Sequence, residues 1–210
     1  QIVLAPSFLG SLCRLFIEGG APVSWISSVA VRKTVLAGLA AVFLAAMAGS
    51  AEAEPPLVGD MVKFVPSAGD RIAPDTPFIS ATGEPIKLDS YRGKTVLLNF
   101  WATWCAPCVK ELPALDRLNA EMASDRFEVL LVSIDRGGAR VFEPFLEKLG
   151  IRNLASAADP KAALLRSFKA PGLPTSFLIA ADGTIKGRLV GDAAWDSAAA
   201  KDLINYYASN

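Results

Sequence analysis

The run Trp104-Cys105-Ala106-Pro107-Cys108 lies where a strand pattern gives way to a helix pattern, and this junction constrains the fold more than any other stretch of the chain. Upstream, Thr95 to Phe100 is a near-continuous apolar run of the kind found in strands buried on both faces. Downstream, from Ala106 to about Ala123, Val109, Leu112, Leu115, Leu118 and Met122 recur at helical spacing. Cys105 therefore opens a helix, where unpaired backbone N–H groups and the positive end of the helix dipole favour thiolate over thiol. A reactive sulfur is expected there. Cys108 follows about one helical turn later, so the two sulfurs can close a disulfide with little backbone movement. Pro107 suits the first turn, where no hydrogen-bond donor is needed and φ is already helical. The chemistry that fits is thiol–disulfide exchange, with Cys105 attacking and Cys108 resolving the mixed disulfide.

Around this junction the chain alternates strands and helices. Phe78 to Ser80 and Ile86 to Leu88 flank the turn Thr82-Gly83-Glu84-Pro85 and predict a short hairpin. Phe127 to Ile134 reads as a second buried strand, Ala139 to Leu149 as a helix closed by Gly150, and Lys161 to Phe168 as another helix. Ser176 to Ala180 and Ile185 to Val190 form a hairpin around Ala181-Asp182-Gly183-Thr184, and Ser197 to Ala208 is a closing helix. This order predicts an α/β fold with a mixed central sheet flanked by helices. Glu54 to Thr76 is rich in Pro and Gly and lacks periodicity, so residues 54–76 are expected to be a linker and residues 77–210 the folded domain.

Several function classes drop out on composition. Lys+Arg and Asp+Glu stand at 21 each with no basic run, which disfavours nucleic acid as a partner. The absence of His removes the usual general base and the commonest transition-metal ligand, and with them Cys–His proteases and most zinc enzymes. Of three cysteines, Cys13 lies in an N-terminal stretch outside the domain, leaving one productive pair. A closed zinc site needs four ligands, whereas two thiolates are enough for copper(I), so a copper(I)-binding module stays open as an alternative. A peroxidase is the other alternative, although no separate Thr-x-x-Cys loop is present. Gly137-Gly138 follows a strand but lacks the lysine and spacing of a nucleotide loop, and reads as a turn.

Glu111 shares a helical stripe with Cys108, Leu115, Leu118 and Met122, which places its carboxylate partly buried beside the cysteines. Burial favours the protonated acid and makes proton exchange with a thiol plausible; the competing reading is a surface glutamate near a helix start. Pro113 should bend this helix.

Phe100-Trp101-Ala102-Thr103-Trp104-Cys105-Ala106-Pro107-Cys108, Glu111-Leu112-Pro113 and Gly172-Leu173-Pro174-Thr175 together resemble the TlpA/ResA class of secreted or membrane-anchored bacterial thioredoxin-like proteins. Val132 to Gly138 and Gly187 to Gly191 bring the likeness nearer to the TlpA branch, and the match covers about residues 75 to 208. The resemblance implies a thioredoxin fold with an N-terminal β-hairpin and an extra central helix. It implies a cis-proline at Pro174 opposite the disulfide, substrate contacts from Trp104, Pro107, Leu173 and Pro174, and no cofactor beyond the redox-active pair. Asn99 stands where thioredoxin has a buried Asp, and in ResA-like proteins the glutamate matching Glu111 serves instead. Ala106-Pro107 lacks the His of strongly oxidising DsbA-type relatives, so a reductant is expected. Implied partners are disulfides of apo-cytochrome c or of copper-delivery and oxidase-assembly proteins, with electrons from an inner-membrane donor.

Arg32 and Lys33 precede an apolar stretch from Thr34 to Ala48, followed by Ala51-Glu52-Ala53, which is the layout of a secretory signal. The apolar stretch is about 15 residues, against the roughly 20 that span a bilayer. Residues 1–53 are thus expected to be an extension plus a signal cleaved after Ala53, with an uncleaved membrane anchor as the rival. Either topology puts the domain in the periplasm of a bacterial host. Residues 1–31 sit poorly ahead of such a signal, and translation is expected to begin near Val29 or Val31. N-terminal sequencing or intact mass of native protein checks this: peptides from residues 1–28 would overturn it.

Overall fold

A computed structural model describes residues 54–209. The expected signal or anchor, its cleavage point and Cys13 lie outside the described residues. No helix among the described residues is long and apolar enough to cross a membrane.

Among the described residues, eight strands form one sheet in the order β1-β8-β7-β4-β5-β6-β2-β3. They are β1 (Phe64–Pro66), β2 (Phe78–Ile79), β3 (Pro85–Ile86), β4 (Thr95–Trp101), β5 (Phe127–Ser133), β6 (Ser156–Ala158), β7 (Thr175–Ile179) and β8 (Ile185–Val190). The helices are α1 (Ala106–Met122), α2 (Ala139–Lys148), α3 (Ala163–Ser167) and α4 (Ala198–Ala208). β4, β5 and β6 run parallel, and β7 is antiparallel to both β4 and β8. The crossovers from β4 to β5 and from β5 to β6 carry α1 and α2, as parallel neighbours require.

β4 is buried at every residue, and its side chains alternate between two cores. Leu97 and Trp101 join Leu112, Leu115 and Leu118 of α1 and Leu203 of α4. Val96, Leu98 and Phe100 face the other way, into a core with Phe168 and Phe177, whose rings meet Phe100 edge-on. Period two also sends Asn99 to the α1 face, where the cysteines are.

Two stretches depart from expectation. Residues 54–76 are not a linker throughout: Met61 and Phe64 are buried in the α1-side core, β1 pairs with β8, and Ile72 bridges to Thr184. A five-residue 3₁₀ turn (Gly59–Lys63) and a three-residue strand are too short to show a repeat. Pro66 is tolerated because β1 is an edge strand. β6, Ser-Ala-Ala, was not expected; its residues are buried by position in the sheet rather than by apolar character. The helix expected over 161–168 begins only at Ala163, because Ala162 takes a left-handed φ of 51° while Asp159 accepts hydrogen bonds from the Ala163 and Leu165 N–H groups. The N-terminal hairpin is β2–β3, docked onto β6, and α2 is the central helix.

Gly187 lies opposite Pro66 in the β1–β8 register, and a Cβ there would collide with the Phe64 ring and sit 2.7 Å from the Val65 carbonyl oxygen. Gly187→Ala should therefore destabilise the domain by about 1–3 kcal/mol through overpacking, read as a lower denaturant midpoint. An unchanged midpoint would mean that β1 is not held in this register.

Candidate active site

β4 ends at Trp101, the chain turns through Ala102 to Trp104, and α1 begins. The turn is closed by the Cys105 N–H donating to the Ala102 carbonyl at 3.1 Å. Cys105 is the N-cap of α1, with extended backbone (φ −93°, ψ 97°), and its carbonyl accepts the helical hydrogen bond from Val109. Pro107 lies in the first turn, as its sequence position implies. Cys105 and Cys108 are joined in a disulfide, S–S 2.02 Å, with their Cα atoms 5.3 Å apart. Cys108 is wholly buried, whereas Cys105 keeps 6% of its surface, so an incoming sulfur reaches Cys105 first. Trp104, 68% exposed, flanks that approach.

The loop ahead of the cysteines is pinned by an acid that the sequence reading did not single out. Asp135, just beyond β5, accepts from the Thr103 N–H at 3.0 Å and the Thr103 hydroxyl at 2.9 Å, and from the Ser133 hydroxyl at 2.8 Å. These bonds tie the β4–α1 junction to the end of β5. The available signal was an acidic residue directly after an apolar strand.

The Leu173–Pro174 peptide bond is cis. Thr175 pairs with Phe100 across β7 and β4, so Pro174 sits at the end of the sheet from which the Cys105 loop leaves. The Thr175 hydroxyl donates to the Gly172 carbonyl at 2.7 Å, and the Gly191 N–H donates to the Pro174 carbonyl at 2.9 Å. Leu173 packs against both cores. The four residues expected to touch substrate thus lie at one end of the sheet, Trp104 and Pro107 at the β4–α1 junction and Leu173 and Pro174 just ahead of β7.

Glu111 is 2% exposed, which rules out the surface reading. Its Oε1 accepts from Asn99 Nδ2 at 2.8 Å, and its Oε2 accepts from Trp195 Nε1 at 3.0 Å and the Ala193 N–H at 3.2 Å. Asn99 Nδ2 also donates to the Ser176 hydroxyl at 2.9 Å. Desolvation raises the Glu111 pKa from 4.5 to about 7, against the pull of the Asn99, Trp195 and Ala193 hydrogen bonds. A carboxyl that changes charge near neutral pH therefore lies one turn along α1 from Cys108. Ser176, Ala193 and Trp195 are distant in sequence and carry no local pattern that would mark them. Among the described residues no group of three or more His, Cys, Asp or Glu side chains comes together as a metal site.

A mixed sheet with a Trp-Cys-x-x-Cys pair at a helix N-terminus and a cis-proline at the same end defines a thioredoxin-fold thiol:disulfide oxidoreductase. The chain belongs to the AhpC/TSA family, whose model matches residues 70–188, and is of the ResA/TlpA type. It is 34% identical over 119 residues to the thiol-disulfide oxidoreductase ResA of Geobacillus kaustophilus, covering 57% of this chain and 67% of that one. Among solved structures it is similar to a thiol:disulfide interchange protein of the thioredoxin family from Chlorobium tepidum, with 27% identity and a TM-score of 0.55 over 68% of this chain and 99% of the other. It is likewise similar to StoA of Bacillus subtilis, with 26% identity and a TM-score of 0.51 over 64% and 98%.

The folded protein holds the Glu111 proton more tightly than the unfolded chain, a contribution complete below about pH 4.5 and lost as pH rises through about 7. Relative to Glu111→Gln, the oxidised protein should thus lose about 3 kcal/mol of stability across that window. Urea unfolding of both proteins at several pH values measures the difference. A difference independent of pH would show that Glu111 is not perturbed.

Proposed function

We propose that the protein reduces disulfides of client proteins outside the cytoplasm, with Cys105 as attacking sulfur, Cys108 as resolving sulfur and Glu111 as proton acceptor. The observation that carries this reading is the buried Glu111 carboxyl, one helical turn along α1 from the wholly buried Cys108 of a pair whose other member, Cys105, keeps 6% of its surface exposed. In the reduced protein the Cys105 thiolate, favoured at the helix N-terminus, attacks a client disulfide. One client sulfur becomes a mixed disulfide with Cys105, and the other leaves as a thiolate and takes up a proton. Cys108 passes its proton to Glu111 and attacks the Cys105 sulfur. The second client thiolate is released, and two electrons have passed from the pair to the client. Glu111 then returns its proton to solvent or to the departing client thiolate. The disulfide pair is the only redox group this cycle requires.

Trp104, Pro107, Leu173 and Pro174 are the residues we assign to the client interface. Ala106-Pro107 between the cysteines and the likeness to the TlpA/ResA class favour the reducing direction. The same likeness favours apo-cytochrome c or copper-delivery and oxidase-assembly proteins as clients, an inner-membrane electron donor, and a periplasmic site reached through the expected signal or anchor.

A Cys108→Ser variant should accumulate mixed disulfides on Cys105, and mass spectrometry of the trapped species should find clients of these two classes. Trapping only cytoplasmic proteins would overturn the location. A reduction potential near the roughly −120 mV of DsbA would overturn the direction. Tight copper(I) binding by the reduced protein, without insulin-disulfide reduction, would replace the reductase with a metal carrier.

A further inference from the structure

A groove of about 600 Å³ opens at the end of the sheet from which the Cys105 loop leaves, with Trp104, the residue before Cys105, on its wall. Its other walls come from the loops after the next two parallel strands: Ile134 and Arg136 after β5, and Pro160 and Lys161 after β6, with Arg166 of α3 completing the rim. Crevices at the carboxyl ends of parallel strands are where open α/β sheets take their ligands. The charge of this one is one-sided. Arg136, Lys161 and Arg166 are exposed, and none of them makes an ion pair among the described residues. Arg166 donates to the Lys161 carbonyl at 2.7 Å, which holds its guanidinium on the rim. The acid in the lining, Asp135, is 4% exposed, and its oxygens are engaged by Thr103 and Ser133. Nearby Asp159 is buried and accepts from the Ala163 and Leu165 N–H groups. In a chain with 21 basic and 21 acidic residues, three unpaired cations around one groove are a local excess.

We propose that this groove receives an extended acidic segment of the client polypeptide next to its reactive cysteine, so that Arg136, Lys161 and Arg166 set client preference. The inference rests on the disulfide-reductase reading and names the class of substrate for that site. A polypeptide fits better than a free anion because Trp104, adjacent to Cys105 in the chain, and Ile134 add apolar lining to the groove that the cations rim. Complementary charge at such a rim acts mainly on the rate of encounter, and salt screens it.

The test is stopped-flow reduction, by the reduced protein, of two disulfide peptides identical except for Asp/Glu or Lys/Arg residues flanking the cysteines. At low ionic strength the acidic peptide should react about tenfold faster, within the range that charge steering supplies, and the gap should close at high salt. In an Arg136→Glu, Lys161→Glu, Arg166→Glu variant the preference should reverse. Equal rates for the two peptides in the wild-type protein, or a salt-insensitive gap, would overturn the groove assignment while leaving the reductase intact. Failure to reduce either peptide would overturn both. The salt dependence is read on the wild-type protein, so the proposal remains testable even if the triple variant does not fold.

Discussion

The burial of β4 along its whole length is the constraint on which the rest of the structure depends. Paired with β5 on one side and β7 on the other, this strand has partners for its main-chain donors and acceptors while both its faces are dry. Its apolar side chains hold α1 on one face and the Phe168–Phe177 cluster on the other. The reactive loop is the continuation of this strand, so Cys105 leaves from one of the most constrained points of the fold. The Asp135 bonds to Thr103 extend that constraint by two residues.

The polar cost of the site is concentrated at Asn99 and Glu111. Asn99 uses its side-chain N–H groups on Glu111 and Ser176, and its Oδ1 is buried without a partner. An orphaned buried acceptor costs about 1–3 kcal/mol. A carboxylate at position 99 would instead set two acids against each other within one dry pocket, and like charges there disfavour ionisation of both. A neutral amide donates to Glu111 and keeps a single titrating group beside the cysteines. This is a physical reason for the departure from the thioredoxin pattern at this position.

The long elements were legible because burial imposes periodicity on them. β4, β5, α1, α2 and the β7–β8 hairpin all lie within a residue or two of the spans that apolar spacing predicts. The elements that escaped were short or compositionally neutral, as with the Gly59–Lys63 turn, β1 and β6. A stretch of three to five residues has no repeat to read, and Ser156-Ala157-Ala158 is buried by what surrounds it rather than by what it is. At the site, Cys105, Cys108, Pro107 and Glu111 lie within seven residues of one another, and local helix geometry relates them. The partners of Glu111 come from β4 and from the segment between β8 and α4, and no spacing rule links those positions.

What the sequence by itself determined is therefore the redox pair, its place at a strand-to-helix junction and the alternating α/β order, because all three follow from interactions between near neighbours. Only the tertiary structure decided that Glu111 is sealed by Asn99 and Trp195, that Asp135 pins the loop, and that residues ahead of the expected domain add a strand to the sheet. It also decided that Arg136, Lys161 and Arg166 line one groove with Trp104. Those arrangements depend on which distant segments the sheet brings to one end, and a balanced overall charge says nothing of where the charges gather.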